Sequence, residues 1–246
     1  MTLSSPRSIP VDQVTKELRN EIELQIFGLQ RSGNHGVISW ITQQFKDKVY
    51  FFNNISHFGD PVTSWHVGMV PNTYRLPQKS SLTELEDIRN KPKAALIYSY
   101  ENLRLIDLAN QPLLLNHDEL LGRSARFHRI LLLRDFFNWI SSRLKLFDYR
   151  GQDTLKAANQ IDGLINLWLQ YAREFKGETA YLGNSDVVRV AYPRWVDDGE
   201  YRAWILGAIG VPLNNNSNGY VPDVGGGSSF DSTTFSGNAG SMAVRE

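Results

Sequence analysis

Residues 21–45 read EIELQIFGLQRSGNHGVISWITQQF and contain the clearest fold signal of the chain. The first eight, Glu21 to Gly28, form a short apolar run that predicts a buried strand. From Asn34 to Phe45 the apolar residues recur at helical spacing, as Val37, Ile38, Trp40, Ile41 and Phe45. A turn-rich segment bounded by Gly28 and Gly33 joins the two. The stretch therefore predicts a strand, a loop and a helix in succession.

Similar units follow along the chain. We expect further strands at 49–53, 94–100, 129–133 and 187–191, and helices at 136–147, 164–175 and 200–209, with helical pieces within 103–121. This alternation predicts an α/β fold, with a central, mainly parallel sheet flanked by helices. Ligands of such sheets bind beyond the carboxyl ends of the strands. The function is therefore sought directly after Phe27, Asn53, Tyr100 and Leu133.

Composition narrows the class of protein. The 246 residues favour one domain, 1–246, with a polar N-terminal extension at 1–20 and a Gly/Ser-rich tail at 214–246. Composition alone predicts that this tail is a flexible segment. The 26 Lys+Arg balance the 26 Asp+Glu, so the chain lacks the excess of basic residues that is typical of a general nucleic-acid binder. The absence of cysteine excludes thiolate metal ligands and cysteine nucleophiles.

Targeting signals are equally sparse. The opening residues lack the apolar stretch of a signal peptide, and no 18-residue apolar run occurs. We therefore expect a soluble, cytoplasmic protein without a membrane span. Four aromatic residues with helical Leu and Ile neighbours, Trp139, Trp168, Tyr171 and Trp204, are predicted to lie in the core.

The loop after the first strand has the two glycines of a phosphate-binding P-loop, Gly28 and Gly33, with four residues between them. Asn34 and His35 stand where such a loop has the lysine and the hydroxyl that serve the γ-phosphate and Mg²⁺. The loop is therefore suited to a phosphate-like group but poorly equipped for metal-assisted phosphoryl transfer. Arg31 supplies a guanidinium for an oxyanion. The alternative is an ordinary turn with a surface arginine.

A second cation follows the fourth strand. Arg134 comes directly after the apolar run that ends at Leu133, and Ser142 lies eight residues on, about two helical turns later. If the chain reverses between them, both side chains converge on one anion. The alternative is that Arg134 pairs with Asp135 or another acid.

These motifs together resemble the sulfotransferase family that uses 3′-phosphoadenosine 5′-phosphosulfate (PAPS), in its bacterial form. Residues 30–35 are similar to the family's 5′-phosphosulfate loop, and Arg134 with Ser142 matches its 3′-phosphate motif. Residues 187–192 and 206–212 resemble its late strand, tyrosine and helix ending in Gly-x-Pro. Residues 225–230, GGGSSF, resemble its C-terminal segment that closes over the nucleotide.

The resemblance implies a three-layer, P-loop-like fold and transfer of a sulfuryl group from PAPS to a hydroxyl or amine, by in-line displacement without metal. The product nucleotide is 3′-phosphoadenosine 5′-phosphate. The resemblance assigns the sulfuryl group and leaving phosphate to Arg31. It assigns the 5′-phosphate to Ser32, Gly33, Asn34 and His35, and the 3′-phosphate to Arg134 and Ser142, with Ser228 or Ser229.

The residue that accepts the acceptor's proton is not fixed by the resemblance. Where one branch of the family ends its third strand with a histidine base, this chain has Tyr100-Glu101. Glu101 is the first candidate base, His57 the second and His66 the third, because Glu or His suits this task. For each, a structural or solvent-exposed role is the alternative. Residues 54–92 are expected to shape the pocket of a small-molecule or carbohydrate acceptor.

Two rival functions remain open at this level. One is a kinase-like phosphotransferase with a degenerate P-loop, which would need Mg²⁺ and a lysine from elsewhere. The other is a non-catalytic nucleotide-binding relative of the sulfotransferases that has lost the base.

Overall fold

The structure is a computed structural model, and it describes residues 18–55, 73–74, 90–110, 122–149, 154–183 and 187–217. The strands are β1 (Leu18–Gly28), β2 (Val49–Phe52), β3 (Thr73–Tyr74), β4 (Lys93–Glu101), β5 (Arg123–Ser124), β6 (Phe127–Leu133) and β7 (Val187–Ala191). The helices are α1 (Asn34–Thr42), α2 (Asp107–Asn110), α3 (Phe136–Tyr149), α4 (Thr154–Lys176), α5 (Tyr192–Asp197) and α6 (Gly199–Ala208).

The described strands form one parallel sheet in the order β3-β2-β4-β1-β6-β7, with β5 pairing beside β1. After β1 the chain passes through α1 to β2 on one side of β1. After β6 it passes through α3 and α4 to β7 on the other side. The loops after β1 and β6 therefore leave in opposite directions, and a crevice opens between them where ligands of such sheets bind.

Helices cover both faces of the sheet because its strands carry apolar residues on both sides. One core cluster joins Ile22, Leu24 and Ile26 of β1 to α1, α5 and α6. A second joins Phe27 and the β4 tyrosines to Trp139 of α3 and Tyr171 of α4. The result is helices, sheet and helices in three layers, which confirms the α/β class predicted from the sequence.

The predicted strands and the helices α1, α3 and α6 agree with the observed ones to within a few residues, whereas α4 begins ten residues before the prediction. Of the helical pieces predicted within 103–121, the structure has α2, and residues 111–121 lie outside the described residues. The sequence analysis missed α5, although Pro193 stands in its first turn, where proline favours a helix start. Trp139 and Tyr171 are buried as predicted, but Trp204 is 54% exposed, so its assignment to the core is wrong. Its ring instead stacks on Tyr201 at the outer surface, at 5.5 Å between centroids.

Among the described helices, none is both long enough and apolar enough to cross a membrane. The boundaries proposed for a single domain, and the tail from residue 218 onward, lie partly or wholly outside the described residues.

Candidate anion-binding site at the carboxyl edge of the sheet

The loop between β1 and α1 exposes backbone donors at the start of a helix. The amide of Ser32 closes a tight turn on the carbonyl of Leu29 at 3.0 Å, and Gly33 adopts a left-handed φ of 92° before α1 begins. The carbonyl of Gly33 accepts from the first paired amides of the helix. Within the described chain, the amides of Gly33, Asn34 and His35 have no acceptor. Unpaired amides at a helix N-terminus form a natural anion site.

Two arginines from different strands meet at this loop. Arg134, directly after β6, donates from Nη1 to the carbonyl of Arg31 at 3.2 Å. Arg31 in turn donates from Nε to Oγ of Ser142 on α3 at 3.2 Å. The structure therefore brings together the three side chains that the sequence placed after the first and fourth strands. They meet in the crevice between β1 and β6.

Tyr192, directly after β7, forms the floor beside them. Its ring lies against Gly33 so closely that a Cβ on Gly33 would sit 2.0 Å from Cε2 of the ring. The guanidinium of Arg134 lies over the same ring, 5.4 Å from its centroid. Burial raises the pKa of Tyr192, while the charges of Arg134 and Arg31 act in the opposite direction. The positive charges of Arg134 and Arg31 therefore both reach the hydroxyl group of Tyr192.

A further set of side chains holds the loop from α3. Trp139 donates from Nε1 to the carbonyl of Gln30 at 3.0 Å, and Arg143 donates from Nη1 to the side-chain oxygen of Gln30. Arg143 is only 8% exposed, so it brings a third guanidinium to the same loop. Sequence reasoning did not name Arg143, and it took Trp139 only as a core residue. Their signal was present, because positions four apart on a helix share one face.

Buried polar atoms around the loop lack hydrogen-bond partners within the described residues, and two of them are donors on Ser32 and Arg134. Ser32 is fully buried, and neither its Oγ nor Nε of Arg134 has a hydrogen-bond partner within the described residues. Asp135 does not pair with Arg134: its Oδ1 accepts from the amide of Asn138 at 2.9 Å and caps α3. A buried polar atom without a partner costs about 1–3 kcal/mol. An oxyanion that reached these two donors would satisfy them.

On the β4 side of β1, the edge of the sheet has a carboxylate, Glu101, and an amide side chain, Asn34. Asn34 donates from Nδ2 to Oε1 of Glu101 at 2.9 Å and to the carbonyl of Leu29 at 3.1 Å. Glu101 thus lies at the end of β4 with one oxygen bound to the first residue of α1. Burial, followed by the charge of Glu101, raises the pKa of Tyr171 on α4. The carboxylate of Glu101 therefore binds the first residue of α1, and its charge reaches the hydroxyl of Tyr171.

Asn102, the residue after β4, fixes the loop through its backbone and its side chain. It has a left-handed φ of 59°, and its amide donates to the carbonyl of Gly28 at 3.1 Å. Its Oδ1 accepts from the amide of Gln30 at 2.9 Å. The anion loop is therefore held by β4 on one side and by α3 on the other.

His35 points away from the arginines. Its Nε2 lies 3.1 Å from Oδ1 of Asn53, just after β2, and its ring contacts Phe51 edge-on. Oδ1 of Asn53 also accepts from the hydroxyl of Ser99 on β4 at 3.0 Å. The remaining site residues predicted from the sequence, His57, His66, Ser228 and Ser229, lie outside the described residues.

Comparison of the chain with protein-family models, with curated proteins and with solved structures gives no match. Among the described side chains, no group of three or more His, Asp or Glu is placed to hold a metal ion. What the arrangement offers chemically is an anion site with guanidinium and amide donors, bordered by a carboxylate and an imidazole.

Proposed function

We propose that this chain is a sulfotransferase that moves a sulfuryl group from PAPS to a hydroxyl or amine. The observation that carries the proposal is the meeting of Arg31, Arg134 and Ser142 at the N-terminus of α1, in the crevice between β1 and β6. A nucleotide with phosphates at both its 5′ and 3′ positions offers two dianions to such a site. The cytoplasmic location predicted from the sequence belongs to the same proposal.

The amides at the start of α1 and Arg31 bind the 5′-phosphosulfate in this proposal, and Arg134 with Ser142 binds the 3′-phosphate. Sulfuryl transfer, like phosphoryl transfer, depends mainly on positioning and on stabilising charge at the leaving oxygen. In this proposal Arg31 stabilises the charge at the leaving oxygen, because its side chain starts from the loop that binds the phosphosulfate. The unpaired Oγ of Ser32 adds a short-range donor.

The P-loop-like character of the fold belongs to this proposal as well. A strand, a glycine-bounded loop and a helix N-terminus stand at the centre of a parallel sheet, as such a fold requires. Asn34 directs its amide group to Leu29 and Glu101, and His35 directs its ring to Asn53. Neither occupies the role of the P-loop lysine or of the Mg²⁺ hydroxyl, which favours sulfuryl transfer over the kinase-like alternative.

The acceptor in this proposal is a small molecule or carbohydrate that enters over the ends of β2 and β4. Glu101 lies at that place and is the first candidate base named by the sequence. Its Oε1 already accepts from Asn34, so Glu101 also has a structural task. That observation favours the second candidate function, a nucleotide-binding relative without turnover.

Binding of 3′-phosphoadenosine 5′-phosphate tests the proposal directly. Ligand at about a hundred times its dissociation constant should stabilise the protein by about 2.7 kcal/mol in a thermal-shift titration. Adenosine 5′-monophosphate, which lacks the 3′-phosphate, should bind more weakly. A shift with ATP and Mg²⁺ alone would support the kinase-like function instead and overturn the proposal.

The Arg134→Ala variant makes the test specific for the 3′-phosphate. Loss of a charge-assisted hydrogen bond of about 1.5–3 kcal/mol predicts roughly 10- to 150-fold weaker binding of the bisphosphate. Binding of the monophosphate should change much less. Arg173→Ala removes an exposed guanidinium on α4 and is the matched control. Equal losses for both nucleotides would show that Arg134 does not read the 3′-phosphate.

A further inference from the structure

His35 takes part in a hydrogen-bond chain that joins α1 to the ends of β2 and β4. The amide of Asn54 donates to Oγ of Ser99 at 2.8 Å, and this hydroxyl donates to Oδ1 of Asn53 at 3.0 Å. The same Oδ1 lies 3.1 Å from Nε2 of His35. The chain therefore ends at the imidazole ring.

The direction of this chain fixes which ring nitrogen carries a proton. Oδ1 of Asn53 is an acceptor only, so Nε2 of His35 must be the donor. In the neutral ring, Nδ1 then has the lone pair. Nδ1 has no hydrogen-bond partner within the described residues. A neutral ring in this tautomer accepts a proton at Nδ1 and has no proton there to donate to a phosphate.

Covalent geometry sets which ring nitrogen of His35 is nearer to α1. Nδ1 is bonded to Cγ and is therefore the ring nitrogen nearer to the backbone of His35, in the first turn of α1. Nε2 is the farther nitrogen and reaches β2. The His35 side chain thus extends from the first turn of α1, whose amides are proposed for the 5′-phosphosulfate, to the end of β2, where the acceptor is proposed to enter.

We infer that His35, rather than Glu101, accepts the proton of the acceptor, and that Asn53 and Ser99 are positioning residues for its ring. The inference rests on the proposed function. As the acceptor oxygen forms a bond to sulfur, its proton moves to Nδ1 of His35. The bond between sulfur and the bridging oxygen breaks, and its electron pair leaves with the 5′-phosphate. The imidazolium then returns the proton to water.

Glu101 has a different task in this arrangement. Its carboxylate binds the amide of Asn34, which also binds Leu29, so Glu101 braces the loop against β4. The resemblance gave His35 a part in binding the 5′-phosphate, and in this arrangement its side chain accepts a proton instead. Its backbone amide keeps the phosphate-binding role.

The test compares His35→Gln with the native protein in single turnover of PAPS, with phenol, p-nitrophenol or water alone as the acceptor probe. Loss of a general base predicts a rate with phenol about 10²- to 10⁴-fold lower. With p-nitrophenol, which is a far stronger acid than phenol, the loss should be much smaller. The dissociation constant for 3′-phosphoadenosine 5′-phosphate should stay within about threefold, and free imidazole should partly rescue His35→Ala. His128→Gln, at the amino end of β6, is the matched histidine control.

Nitrogen-15 NMR of the histidine rings gives an independent readout. The resonances of His35, assigned with the His35→Gln variant, should show the Nε2–H tautomer in the native protein, and Asn53→Ala should disturb it. A native Nδ1–H tautomer would overturn the inference. An equal loss of rate with phenol and with p-nitrophenol in His35→Gln would overturn it too. The same holds if the native protein binds the bisphosphate but transfers sulfuryl groups to none of the three probes. Failure to bind the bisphosphate would instead refute the proposed function itself.

Discussion

Replacing Gly33 by alanine should destabilise the protein because two separate costs coincide at this position. The residue has a φ of 92°, where an L side chain costs about 1–2 kcal/mol. Its Cβ would also lie 2.0, 2.4 and 2.7 Å from three carbons of the Tyr192 ring. That ring is 3% exposed and stacks on Trp195 at 5.6 Å, so it has little room to move. Overpacking of this kind costs about 1–3 kcal/mol.

The two costs sum to about 2–5 kcal/mol, and the smaller entropy of unfolded alanine offsets about 0.4–1 kcal/mol of it. Urea unfolding measures the net loss. Gly177→Ala is the control, because Gly177 also has a positive φ of 76° but open space at its Cβ. The excess loss at Gly33 then reports the contact with Tyr192 alone.

Equal losses of stability at Gly33 and Gly177 would refute the packing of Tyr192 against the loop. A second variant strengthens the test: in a Tyr192→Ala background, Gly33→Ala should cost no more than Gly177→Ala does in the native protein. If Gly33→Ala still costs more than Gly177→Ala in that background, the clash arises from another group, and the ring of Tyr192 does not pack against Gly33.

Three further predictions concern other parts of the fold. Gly163→Ala, in α4 with open space at the Cβ position, should raise the free energy of unfolding by about 0.5–1 kcal/mol in urea; a loss would mean that the helix is more crowded there. Asn102→Ala should cost about 2 kcal/mol through its φ of 59° and its bond to Gln30, while Asn102→Gly should cost about 1 kcal/mol because glycine tolerates that φ; the reverse order would exclude the left-handed backbone. Burial, followed by the charge of Arg19, lowers the pKa of Lys93 to about 8, so the unfolded chain holds a proton that the folded chain releases between pH 8 and about 10.5. The native protein should therefore gain about 1–2 kcal/mol relative to Lys93→Met as the pH rises from 8 to 10, a value reduced from the full linkage because solvent screens part of the charge; a flat difference between their urea midpoints would contradict the burial.

Local sequence patterns predicted the regular elements well because they report periodicity and burial. The apolar run at 129–133 and the helical spacing after Asn34 indicated β6 and α1, and the prediction of 187–191 matches β7 in both bounds. A pattern of apolar spacing does not report how far the buried side of a helix extends, and Trp204 stands three positions after the buried Tyr201 on α6. Trp204 was misplaced for that reason: its ring stacks on that of Tyr201 but is itself 54% exposed.

The sequence also indicated where a ligand should bind, because parallel strands bring all their carboxyl ends to one edge. Arg31, Arg134 and Ser142 could be grouped on that basis alone. The same rule could not reveal Arg143 and Trp139, which hold Gln30 from α3 more than a hundred positions away in sequence. Their contact depends on how α3 packs over the loop.

By itself, then, the sequence determined the α/β class, the limits of most elements and the edge that carries the candidate anion site, because each depends on local periodicity and on strand direction. Only the tertiary structure decided the strand order, which inserts β4 between β1 and β2. That order places Glu101 beside Asn34 and brings Ser99 to Asn53, which turns the ring of His35 toward β2. These pairings join residues 18–67 positions apart, and no local pattern encodes the direction of a side chain toward a partner that folding alone brings near.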